Sequence, residues 1–128
     1  MSTKNFTDQE LSCRCGCGAI HAQAFQNRLQ VLRDAFGVPM HINSAARCMR
    51  HNQDVNGAPN SSHLVFPDEP ERGAVDVEVL YSEAYHLTRL AFEHGWRGIG
   101  VSQKLGSDLK TRFIHLDTRP DYPRIWSY

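Results

Sequence analysis

The sequence predicts an α+β domain: a small antiparallel sheet flanked by helices. Three observations carry this. Residues 74–79, Ala-Val-Asp-Val-Glu-Val, alternate strictly between apolar and acidic side chains, the period of a half-buried strand. Phe25, Leu29, Leu32 and Phe36 recur at spacings of four, three and four, which is one apolar stripe of a helix. Two later apolar runs, Gly98–Ser102 and Thr111–Asp117, have the length of strands.

The elements follow in order. Thr7-Asp-Gln-Glu10 has capping-box form and opens a short helix over 7–11. The apolar stripe places a second helix over about 20–36, stopped by Gly37 and Pro39. Met40-His-Ile-Asn43 reads as a short strand, residues 45–55 as polar with helical character, and Asn56–Ser62 as a loop. After the strand at 74–79, Ser82 is the expected cap of a helix running to about His94. Ala84, Leu87, Leu90 and Ala91 form its apolar side and Gly95 its stop. Strands at 98–102 and 111–117 follow, and the last 11 residues are expected to pack back on the domain. No repeat, low-complexity tract or long linker interrupts the 128 residues, so 1–128 reads as one domain.

Composition excludes several classes of partner. Lys plus Arg and Asp plus Glu both number 14, so the chain has no net charge to draw it to nucleic acid or an acidic membrane surface. No apolar run reaches the roughly 20 residues of a membrane span. Met1–Glu10 is polar, without an apolar leader, so the expectation is synthesis in the cytoplasm without a signal peptide.

The four cysteines leave three readings open. Cys13, Cys15 and Cys17 lie in Cys-Arg-Cys-Gly-Cys-Gly, and Cys48 is distant. They can be small buried residues of a tight reduced turn, a disulfide from the cluster to Cys48, or four thiolates on a structural zinc.

Three ionisable residues stand out elsewhere. His63 follows a Ser-rich loop, Asp76 sits on the polar side of an apolar strand, and His115 lies mid-strand. Residues two apart on a strand share a face, so His115 lies beside Asp117 while Ile114 and Leu116 face the core. Two histidines and a carboxylate form the ligand set of a catalytic zinc, whose fourth position holds water. The plainer alternatives are a satisfied surface aspartate and a hydrogen-bonded core histidine.

Asn43-Ser-Ala-Ala-Arg-Cys48, His51-Asn52, Gly57-Ala-Pro-Asn-Ser-Ser-His63, Gly73-Ala-Val-Asp76 and Phe113-Ile-His-Leu-Asp-Thr-Arg119 occur in this order. Together with Phe6-Thr7 and the Cys/Gly cluster, they resemble zinc murein peptidases of the D-alanyl-D-alanine carboxypeptidase-like family, common in bacteriophage lysis and tail modules. The resemblance implies a D-Ala-D-Ala-peptidase/hedgehog-like fold and one catalytic zinc on His63, Asp76 and His115. It implies Arg47 at the substrate carboxylate or oxyanion and Ser61 lining the site. Asp117 is then either the general base or a partner that orients His115 or Arg119. The implied activity is hydrolysis of a bond in the stem or cross-link of bacterial peptidoglycan, after release to the wall or from a virion.

Two departures stand against that pattern. Twelve residues separate His63 from Asp76, more than is usual in the family. The extra segment, about 65–70, reads as a loop beside the cleft whose Asp68 competes as a ligand in one reading. Some relatives place a catalytic Glu three residues before the last zinc His, where this chain has Arg112. Asp117 is the first replacement and Glu78 the second. The alternative function is a catalytically weak or inactive zinc-containing module that binds cell wall or builds a virion.

Overall fold

The alternation along residues 74–80 divides the molecule into an apolar side and a polar side. In the computed structural model, which describes residues 3–102 and 111–128, this segment is β2 (Ala74–Leu80) of a five-stranded sheet. The other strands are β1 (His41–Ser44), β3 (Gly98–Ser102), β4 (Thr111–Asp117) and β5 (Arg124–Ser127). Their order is β1-β2-β4-β3-β5. The first four pair antiparallel, as the sequence predicts. The C-terminal residues add a parallel strand, with β5 running beside β3.

The helices are α1 (Asp8–Leu11), α2 (Gln23–Phe36), α3 (Met49–Asp54) and α4 (Tyr81–Glu93). The capping box of α1 is formed: Thr7 Oγ1 accepts from the Glu10 amide while the Glu10 carboxylate accepts from the Thr7 amide. Gly37 ends α2 in the left-handed region at φ 77°, where a side chain would strain the backbone. The expected Ser82 cap of α4 is not used. Strand β2 runs directly into the helix through an extended Leu80, with no side-chain cap.

The apolar side is the core. Leu29 and Leu32 of α2 and Leu87 and Ala91 of α4 join Val75, Val77, Ile114 and Leu116 of the sheet, all essentially inaccessible. Burying each large aliphatic side chain contributes roughly 1.5–3 kcal/mol. This fixes the register, because a one-residue slip of β2 or β4 would push Asp76 or His115 into that layer. Sheet pairing in the apolar core thus sets the positions of the polar groups on the opposite side. Among the described residues no helix is long and apolar enough to cross a membrane.

Candidate metal centre

Antiparallel pairing of the two central strands puts Asp76 of β2 directly opposite His115 of β4. His63 arrives from a loop that is tied down at both sides. Its amide donates to Ser61 Oγ at 3.1 Å, and its carbonyl accepts from the Arg47 amide at 2.7 Å. A single parallel bridge joins Arg47 to Leu64. All three residues are buried, with their potential ligand atoms within 4.8 Å of one another.

The partners of the imidazoles decide what the three residues can hold. His63 Nδ1 faces the Ala45 carbonyl at 2.6 Å, and His115 Nε2 faces Asp117 Oδ2 at 2.7 Å. A carbonyl and a carboxylate oxygen only accept, so these nitrogens carry the protons. The remaining nitrogens, His63 Nε2 and His115 Nδ1, lie 3.2 and 3.0 Å from the same oxygen, Asp76 Oδ1. In neutral imidazoles those nitrogens present lone pairs. Three electron-rich atoms then converge on one point, an arrangement that calls for a cation. Their separations are close to the roughly 3.3 Å between two nitrogen or oxygen ligands of a tetrahedral zinc. Two imidazoles and a carboxylate, each imidazole held by a second partner, fit that ion.

Charge reinforces the arrangement. Burial pushes the Asp76 carboxyl up, but His63 and His115 outweigh it and hold the group below the usual carboxylate range. Burial depresses His115, and the Asp117 and Asp76 carboxylates beside it reverse this and raise it, so the site favours a positive charge at this point, whether a proton or a metal ion. Asp117 likewise stays below the usual range, because His115 and Arg119 overcome its burial.

The centre opens into a cleft of about 650 Å³. Arg47 stands at its edge, with Nη2 3.5 Å from Asp76 Oδ2 and Nη1 donating to Asn52 Oδ1 at 3.2 Å. Asn52 is in turn anchored through Nδ2 to the Ala58 carbonyl. Ser61 lines the cleft while bracing His63. Trp126, its ring centroid 5.1 Å from that of His115, and Tyr128 form another part of its wall. Burial, and then the charge of Asp76, keep the Tyr128 phenol protonated beyond its ordinary range, despite a hydrogen bond from Trp126 that acts the other way.

Of the two roles open to Asp117, its geometry favours orientation. The residue is fully buried, and it lies at Nε2 of His115 while the metal ligand atom is Nδ1. Both oxygens are already engaged: Oδ1 accepts from the Arg119 amide and Nε, and Oδ2 from Arg119 Nη2 and His115. Gly98 makes room for it, since a Cβ there would overlap the carboxylate.

The remaining candidates lie apart. Arg112 alternates to the other side of β4 and lines a groove against α4 with Ile114. Glu78 is on the metal side of β2 but exposed. Asp68 is exposed and outside the converging group. The 65–70 loop is clamped by Arg72, which lies over the Phe66 ring at 3.8 Å, pairs with Glu69 and donates to Ser62 Oγ next to His63. Sequence reasoning gave no role to Asn52 or Tyr128 and named Arg119 only as a group that Asp117 could orient. Asn52 and Arg119 carry a local signal, their places in the His51-Asn52 and Phe113–Arg119 segments, and Tyr128 carries none.

The peptidase M15 profile matches residues 4–117, nearly the whole chain. The chain belongs to the peptidase M15 family. Membership implies a zinc metallopeptidase, and the donor set of this M15 chain suits the ion the family uses. The α+β architecture of the M15 chain is also the one expected. Its β5, with Trp126, and the following Tyr128 lie beyond the matched residues. No match is found among curated proteins.

Proposed function

We propose that the protein is a zinc peptidase that hydrolyses a peptide bond in the stem or cross-link of bacterial peptidoglycan. One observation carries the reading: His63 Nε2, His115 Nδ1 and Asp76 Oδ1 converge at the floor of an open cleft, with a guanidinium at its edge. A zinc bound there polarises a carbonyl and lowers the pKa of water toward about 7.

The chain's own groups do the rest. Arg47 offers a planar fork of donors to a substrate carboxylate or to the oxygen on which charge develops. Asn52 holds one arm of that fork in place. Asp117 keeps His115 in the tautomer that leaves Nδ1 free. The Tyr128 phenol, kept protonated by burial and lining the same cleft as Asp76 and Arg47, is available as a neutral donor. Arg72, Arg119 and Arg124 also line the cleft. Against Asp76, Asp117 and Asp121 on the same lining, the four arginines leave a small excess of positive charge that suits stem peptides, which carry free carboxylates. Action at the cell wall, after release or from a bacteriophage particle, belongs to the same proposal.

Digestion of purified peptidoglycan followed by mass spectrometry tests it. New amine termini that vanish with a chelator and return with zinc are expected, and the fragment masses identify the bond. Intact peptidoglycan under a zinc-loaded protein would instead favour a binding or virion module.

A further inference from the structure

Away from the cleft, a second set of donors converges. The geometry points to a structural zinc held by the thiolates of Cys13, Cys15, Cys17 and Cys48. The four cysteines are free, and their sulfurs all lie within 4.8 Å of one another. The Cys13–Cys15, Cys15–Cys48 and Cys13–Cys48 separations are 3.4, 3.7 and 4.0 Å. A tetrahedral zinc with bonds of about 2.3 Å places its sulfurs about 3.8 Å apart. A disulfide would draw one pair to about 2.05 Å and leave the others out. Here no pair is singled out, and four sulfurs enclose one point.

The backbone is shaped for this. Gly16 and Gly18 take φ of 85° and 88°, which lets Cys-Arg-Cys-Gly-Cys-Gly curl so that three successive cysteines reach one side. Hydrogen bonds close the curl, from the Gly16 amide to the Cys13 carbonyl and from the Cys13 amide to the Ala19 carbonyl. Two amides also aim at sulfur: Cys48 N at Cys13 Sγ, 3.5 Å, and His51 N at Cys48 Sγ, 3.4 Å. Such N–H donors stabilise thiolate charge on a bound cation. The site is independent of the His63 centre in its ligands but not in its consequence. Cys48 follows Arg47, and α3, which begins one residue later, carries Asn52. The ion would therefore fasten the N-terminal loop to the segment that presents the cleft's guanidinium.

Metal analysis and cobalt substitution of the full chain test this. Two zinc ions per chain are expected. Cys15→Ser/Cys17→Ser should keep one, and His63→Ala/His115→Ala should keep the other. Cobalt should give intense near-ultraviolet sulfur-to-metal absorption in the histidine variant and none in the cysteine variant. Because a cysteine variant can fail to fold, thiol labelling of the unaltered protein is the second measurement. All four thiols should be protected until a chelator is added. One zinc per chain with unchanged labelling on chelation would overturn the site, as would disulfides or iron in its place. Sulfur coordination is read directly, so a protein inactive on peptidoglycan would leave the proposal standing.

Discussion

Asp117 accepts the Nε2 proton of His115 at 2.7 Å, and this contact determines which nitrogen of the ring is left for a metal. An amide in its place can donate to Nε2 and so move the proton to Nδ1. Asp117→Asn should therefore weaken zinc binding by about 10–100-fold, measured by competition with a chromogenic chelator. Asp117→Glu, which keeps the acceptor, should lose less. Unchanged affinity in Asp117→Asn would remove the orienting role.

Two glycines on β3 should fail in different ways. A Cβ at Gly98 overlaps the Asp117 carboxylate, and one at Gly100 meets the Trp126 indole at 2.6 Å. Gly98→Ala should lower zinc affinity in the manner of Asp117→Asn and cost about 1–3 kcal/mol of stability from overpacking. Gly100→Ala should leave zinc affinity unchanged and raise KM by displacing the cleft wall. Identical effects of both substitutions on zinc titration would contradict the assignment of the two neighbours.

Arg47→Lys preserves a positive charge near Asp76 but removes the fork. Zinc content should stay the same, while kcat falls by roughly 10²-fold or more, the scale of losing an oxyanion donor. The comparison needs atomic-absorption zinc and peptidoglycan turnover on the same preparation. A kcat equal to that of the parent would mean that charge alone suffices.

His21 gives the fold a pH dependence of its own. Burial, with the charge of His63, pushes it down to about 3 from an ordinary 6.5, and its Nε2 accepts from the Ala74 amide. The unfolded chain takes up a proton below about pH 6.5 and the folded chain does not until about pH 3. The stabilisation is thus complete above pH 6.5 and declines as pH falls, by about 1 kcal/mol per unit for this group. Urea midpoints in chelator, followed from pH 6.5 to 4.5, should drop more steeply for the parent than for His21→Gln. Parallel slopes would refute the linkage.

The strands that build the centre were legible because each carries a period of two. The alternation of β2 assigned Val75, Val77 and Val79 to the core, and that of β4 set His115 and Asp117 against Ile114 and Leu116. The start of α4 was not legible, since β2 flows into it without a capping side chain. Nor was β5, whose four residues are short, largely exposed and preceded by Pro123. The part played by Asp117 depends on where Arg119 folds back, and no spacing encodes that. Arg112 shows the opposite case: on an unbroken strand, three positions before His115 is the other side of the sheet.

The placement of Trp126 on β5, with Tyr128 directly after it, sets the outer wall of the cleft apart from its metal-binding interior. Asp76 and His115 stand on strands paired along both edges, where any change disturbs two ladders. β5 pairs only with β3 among the described strands, so its residues can be exchanged at lower cost. Under the proposed function, the interior fixes the chemistry and the outer wall is where selectivity can change by rewriting a few positions on and after β5.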